Sequence, residues 1–221
     1  PRPSPATSGS GRLFRCRMPA GRLVSSSGRL QLRFLAVQER SQAPAVQVRS
    51  FRSMLVVWDF DWSLVNENTD TYVVDKLSPD LRAGMSGRGL QWTDLCAATF
   101  KKMHDRGVTR ADFESCLASL PMFDEHIEAL RLASESGARQ AIISDSNTFF
   151  IDTILSVRGL TEHINGGVVT NPSSWTADGA LHVDWLQPRD APHACPWSPP
   201  NMCKGNILQD VMAASASETE G

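Results

Sequence analysis

An α/β fold on a parallel sheet, with a helical block inserted after its first strand, is what this sequence predicts. Three observations carry the expectation. Short apolar runs rich in β-branched residues recur at 54–58, 140–144 and 168–170, and runs of that length fit strands covered on both faces. Helical patterns fall between them, as parallel strands require for their crossovers. The stretch 66–120 reads as mostly helical and is longer than one crossover needs.

The elements follow in order. Residues 1–53 hold ten Arg, no Lys and one acid, Glu39, in a Ser-, Gly- and Pro-rich context. That composition fits an organellar transit peptide, and upstream sequence before a start at Met54 is an equal reading; either way the segment stands apart from the fold. Residues 54–65 open the core with strand one. In 66–120, turns are expected at Ser78-Pro79 and between Gly84 and Gly89, a helix over 90–104, and a second helix capped by Thr109 and reaching Leu117. The core resumes at Pro121 and runs to 221. Asp124 is expected to cap a helix that ends at Gly137. A strand over 140–144, a helix over 149–157 stopped by Gly159 and a strand over 168–170 come next. Asp178-Gly179 between apolar runs in 175–185 marks a hairpin. A Pro-rich loop fills 186–202, a helix spans 203–212, and small polar residues over 213–221 read as a frayed end.

Composition narrows the function classes. With 41% hydrophobic and 21% charged residues the chain is ordinary for a globular protein. No apolar run approaches the roughly 20 residues a membrane helix needs. Residues 54–221 hold twelve basic against 23 acidic residues, a poor surface for nucleic acid. An acidic protein still binds phosphate where a metal ion supplies the charge. The five cysteines are odd in number and irregular in spacing, which argues against a disulfide framework and for a reducing compartment. The cytoplasm is the expected location, or a chloroplast or mitochondrion if 1–53 is a transit peptide. His193, Cys195 and Cys203 match no common zinc spacing. Oligomeric state leaves no signature in the sequence.

Strand one runs into Asp59-Phe60-Asp61-Trp62-Ser63. In parallel α/β sheets ligands gather beyond the carboxyl ends of the strands. Two carboxylates there are costly unless a cation offsets them, and Mg²⁺ prefers carboxylate and phosphate oxygens. A solvated turn is the plain alternative, since Asp and Ser favour turns. Strand two ends at Ser144, and Asp145-Ser146-Asn147-Thr148 opens a helix, a corner suited to phosphate or simply a helix cap. Lys204 opens the last helix; with Arg189 it makes up the basic residues of 159–221.

Taken in order, Asp59-x-Asp61-x-Ser63, Ser144 and Lys204 resemble the first three motifs of haloacid dehalogenase-type phosphatases. The wording of 59–70 (DFDWSLVNENTD), 143–149 (ISDSNTF), Asn171-Pro172 and 201–204 (NMCK) is closer to one branch, the phosphoethanolamine/phosphocholine phosphatase family with its plant, algal and insect relatives. The resemblance covers about residues 54–212. It implies a three-layer, Rossmann-like parallel sheet with a helical cap over 66–120 that closes on the substrate. It implies Asp59 as nucleophile and Asp61 as general acid/base, both at a Mg²⁺ site to which the Phe60 carbonyl contributes. Ser144 and Lys204 would orient the phosphate, and Asp70 and Asp145 would face a cationic head group. The implied reaction is hydrolysis of a small phosphomonoester, phosphoethanolamine or phosphocholine, through an aspartyl-phosphate. Pyridoxal phosphate or pyrophosphate hydrolysis, or a non-catalytic phosphate-binding remnant, are the alternatives. The family's fourth motif, Gly-Asp-Gly-x-x-Asp, is absent from these 221 residues, so a sheet lacking its strand is expected to leave one side of strand one unpaired.

Overall fold

The computed structural model describes residues 54–86 and 89–219, with side chains to 215; the expected transit segment lies outside the described residues. Strand β1 (Leu55–Trp58) is followed by one irregular turn, Phe60–Leu64. Three helices come next: α1 (Thr69–Leu77), α2 (Trp92–Asp105) and α3 (Arg110–Ala118), with a 3₁₀ segment at Pro79–Met85. Helix α4 (Asp124–Glu135), strand β2 (Arg139–Asn147), helix α5 (Thr148–Val157) and strand β3 (Val168–Asn171) continue the α/β alternation. A two-stranded antiparallel hairpin, β4 (Ser173–Trp175) and β5 (Leu181–Val183), precedes the last helix, α6 (Lys204–Thr219).

The main sheet has the order β1-β2-β3, all parallel. Leu55 lies opposite Arg139 and Trp58 opposite Ile142, while Ile143 pairs with Val169. Helices α4, α5 and α6 pack on the central strand β2, the α/β arrangement the sequence predicts. Ala141, Ile142 and Ile143 of β2 are buried, as a central strand requires. Gly166 lies so close to β2 that a Cβ there would meet the Gln140 carbonyl oxygen at 2.8 Å. Gln140, fully buried, donates to the Leu130 and His163 carbonyls and accepts from the Trp58 indole at 3.0 Å.

Four details differ from the sequence reading. All four β1 residues are only half-buried, because β1 stands at the sheet's edge and has β2 as its partner among the described residues. Asp124 is the first helical residue of α4 and not its cap; Phe123 holds the cap position. Strand β2 runs three residues past Ser144, and α6 continues to Thr219 where a frayed end was expected. The Thr109 cap is found as read, completed by Asp112 in a reciprocal capping box.

The helical stretch and the sheet share one apolar core. Phe100 of α2, Phe113 of α3 and Phe150 of α5 meet with ring centroids 5.5–6.0 Å apart, each at most 1% exposed. The chain enters and leaves that stretch at adjacent points, where Asn66 N donates to Pro121 O at 3.0 Å.

Candidate active site

The three parallel strands deliver their carboxyl ends to one edge of the sheet, and the candidate residues gather there. Past Trp58 the chain leaves β1 through Asp59, whose Oδ1 accepts from its neighbour's backbone, Phe60 N, at 2.8 Å. Lys204, first residue of α6, donates to the same oxygen at 2.7 Å. Both side chains are a little under half exposed, so this ion pair forms the wet rim of the site.

The turn after Asp59 is tight. Trp62 takes φ 56°, a left-handed conformation that costs a bulky residue about 1 kcal/mol. Val65 N closes the turn on Phe60 O at 3.0 Å, which commits that carbonyl to the turn. Trp62 itself is 69% exposed. The turn aims Asp61 inward, where Oδ1 accepts from Thr69 N at 3.1 Å and Oδ2 from Asn68 Nδ2 at 3.0 Å. Asp61 therefore sits over the first turn of α1, a site that favours negative charge. Burial nevertheless pushes its carboxyl up to about 7, with the charges of Asp70 and Asp59 adding to the effect.

Asp70 lies in the first turn of α1 and is 4% exposed. Burial pushes it up to about 6, and the Asp145 charge adds to that; bonds from Trp92 and Cys96 act in the opposite direction. The Trp92 indole donates to Asp70 Oδ2 at 2.8 Å, tying α2 to α1 across the site. Asp145 reaches the same space from β2. Its Oδ1 accepts from Asn171 Nδ2 at 3.0 Å and from Asn201 Nδ2. Asn171 Nδ2 also donates to the Asp145 and Ser146 carbonyls. Asn201 in turn accepts from Gln91 Nε2 at 2.7 Å. Asn171 and Asn201, both fully buried, and the half-buried Gln91 make a polar chain from the cap of α2 through the Pro-rich loop to β3.

The structure brings five of the six candidate residues into one electrostatic group: Asp59 with Lys204, and Asp59, Asp61, Asp70 and Asp145 in sequence. Ser144, 1% exposed, lies on β2 at the same edge, and its Oγ accepts Ser146 N at 3.2 Å; no hydrogen bond joins it to Asp59 or Lys204 among the described residues. Sequence reading missed Trp92, Gln91 and the clamping role of Asn171 and Asn201. The available signal was amides beside proline, Asn171-Pro172 and Pro200-Asn201, a pairing that fixes a turn. Of the other tryptophans, Trp185 has its ring covered by Arg189 at 3.9 Å, Trp175 of β4 packs on Phe113 and Phe149, and Trp197 is 92% exposed.

Oxygen donors for a hard cation are present in Asp59 and Asp61. Among the described residues no three His, Cys, Asp or Glu side chains stand together as a metal cage. Mg²⁺ does not need one, since it keeps water and takes one or two carboxylates with a substrate phosphate. Burial, with a smaller part from neighbouring carboxylates, raises the Asp61 and Asp70 carboxyls, and a cation beside them would favour their charged forms, so the donor set fits that ion.

Several curated proteins of known name are similar to this chain. The "Thiamine phosphate phosphatase-like protein" of Arabidopsis thaliana is 30% identical over 75% of this chain and 67% of its own length. "Inorganic pyrophosphatase 2" of the same plant is 30% identical, over 75% and 60%. The "Pyridoxal phosphate phosphatase PHOSPHO2" of Rattus norvegicus is 33% identical, over 72% and 66%. The chain thus spans about 60–67% of the length of these relatives. A substrate-bound phosphoserine phosphatase structure aligns over 74% of this chain and 72% of its own, at 14% identity and a TM-score of 0.49. The family model described as "Putative Phosphatase" matches residues 54–220, all but the last residue from strand β1 onward, and the chain belongs to that phosphatase family.

Proposed function

We propose that this chain carries the phosphoryl-transfer residues of a phosphomonoester hydrolase that works through an aspartyl-phosphate on Asp59. The observation that carries the reading is the Lys204–Asp59 contact of 2.7 Å at the carboxyl end of the sheet. It sets a cation against the exposed carboxyl, where an incoming phosphate would need both. Asp59 attacks phosphorus, and the bond to the departing oxygen breaks. Asp61 gives that oxygen its proton, then takes one from the water that hydrolyses the intermediate. A carboxyl held near 7 suits both halves of that exchange at neutral pH. Lys204 steadies the equatorial oxygens, and Ser144 shapes the phosphate corner. Mg²⁺, held by Asp59 with Asp61 in its ionised form, would supply further charge neutralisation on the phosphoryl oxygens.

Asp70 and Asp145 favour a leaving group that carries positive charge. Phosphoethanolamine and phosphocholine offer an ammonium, and pyridoxal phosphate a pyridinium. The name of the rat relative supports pyridoxal phosphate over the first two. The acidic floor disfavours pyrophosphate, whose leaving group is an anion, although a plant relative carries that name.

The test is release of inorganic phosphate from these four compounds, with and without Mg²⁺. It is run on this chain and on a version with the full length of its relatives. Mg²⁺-dependent release that Asp59→Asn abolishes supports the reading. Normal turnover by Asp59→Asn overturns it, and binding without release in both versions moves the chain to a phosphate-binding role.

A further inference from the structure

The Pro-rich loop before α6 holds two sulfurs that the proposed chemistry does not use. The Cys195 thiol donates to Ser198 Oγ at 3.4 Å, and Ser198 Oγ donates to the Cys203 sulfur at 3.3 Å. One hydroxyl thus joins two thiols. The loop is stiff: Pro196, Pro199 and Pro200 lie between the cysteines. It is also pinned on Pro199 O by His193 Nε2 at 2.9 Å and by Met202 N at 3.3 Å.

The two thiols are unequal in a useful way. Cys195 is partly exposed and Cys203 is 5% exposed. When the Ser198 hydroxyl turns its proton to Cys195, that bond together with the Trp197 N–H brings the Cys195 thiol down to about 7. Burial pushes Cys116 up to about 11 and Cys96 well above the ordinary thiol range. An accessible thiol of thiolate character beside a sheltered second thiol is the arrangement of an attacking and a resolving cysteine.

We propose that Cys195 and Cys203 are an oxidation site, at which a hydroperoxide oxidises Cys195 and Cys203 closes a reversible disulfide beside Lys204. The Cys195 thiolate attacks the peroxide O–O bond, which breaks; sulfur becomes a sulfenic acid and an alcohol or water departs. Cys203 sulfur then attacks the sulfenic sulfur and expels hydroxide, which leaves as water with the Cys203 proton. Two thiols and one hydroperoxide give one disulfide, one alcohol and one water. The bond would tie the loop to the start of α6, where Cys203 O accepts Ile207 N at 3.1 Å and Lys204 is the next residue.

The test reads the thiols directly, on the whole chain. Trypsin cuts after Arg189 and Lys204, so both cysteines fall in one peptide, 190–204. The folded protein is treated with hydrogen peroxide, unfolded, alkylated and mapped by mass spectrometry. The expected result is that this peptide takes no alkyl group and is lighter by two hydrogens than its reduced form, while the Cys96 and Cys116 peptides alkylate fully. A dithiol reductant restores both sites. Cys203→Ser leaves a sulfenic acid on Cys195 that a 1,3-dicarbonyl reagent traps. Cys195→Ser, at a partly exposed position with little effect on packing, leaves Cys203 fully alkylatable after peroxide. At neutral pH Cys195 alkylates about tenfold faster than an ordinary cysteine. Full alkylation of both residues after peroxide, or a bond from either to Cys16, Cys96 or Cys116, overturns the proposal.

Discussion

The rim and the floor of the strand-end site use the same side chain in opposite settings. At the rim, Asp59 is nearly half exposed and faces Lys204 at 2.7 Å. At the floor, Asp61 and Asp70 are held by an indole, an amide and a backbone N–H, and burial drives their carboxyls up to about 7 and about 6. The rim has its countercharge in place and the floor does not. Four aspartates, two after β1, one on α1 and one on β2, are therefore not interchangeable; water and one lysine divide them into a group that meets phosphate and a group that meets protons or cations.

The largest expected break in that contrast is at the rim. Asp59→Asn should cut phosphate release by at least about 10⁴-fold and abolish the phosphoprotein. Its urea midpoint should stay close to wild type, since the side chain is near the surface. Lys204→Ala comes next, with about 10²–10³-fold lost from kcat and again little change in unfolding. Matching loss of stability in either variant would mean that the rim is structural.

Substitutions at the floor should show the reverse. Asn171→Ala removes three bonds to the Asp145–Ser146 segment from a fully buried position, and should cost about 2–3 kcal/mol in urea unfolding. Asp61→Asn gives the smallest effect and the sharpest test. Because its folded carboxyl titrates near 7 against an ordinary 3.8, the folded state binds that proton more tightly than the unfolded chain. Stability due to this group is greatest below about pH 4 and declines as pH rises to 7. The variant should therefore gain about 1–2 kcal/mol over wild type near pH 8, a figure reduced for the partial exposure of Asp61, and gain nothing near pH 3.5. An equal difference at both pH values would sink the assignment of a raised carboxyl.

The strands were legible because apolar runs are local: 54–58, 140–144 and 168–170 all fall in the parallel sheet. The aspartates were legible because two of them follow a strand end at fixed spacing. The unpaired side of β1 was expected; that its residues are only half-buried was not, because an apolar run does not show what covers its two faces. Nor was the length of α6, since the small polar residues after Met212 suit a helix as well as a frayed end. Clamps such as Gln91–Asn201 span 110 positions, and no local pattern marks which distant amide a buried amide will meet. Trp92 looked like an ordinary helix residue until α1 placed Asp70 against it.

The aromatic cluster joining α2, α3 and α5 bears on how fast a substrate can arrive. Swinging the whole 66–120 stretch outward would bring Phe100, Phe113 and Phe150 into water, at about 2 kcal/mol for each ring. A penalty near 6 kcal/mol leaves a wide-open form at roughly one molecule in 10⁴. Traffic through such a form would be slow, so entry and exit belong to smaller excursions of the loop segments around the rim. Amide hydrogens of α2 and α3 should then exchange only as fast as global unfolding allows, even while turnover proceeds.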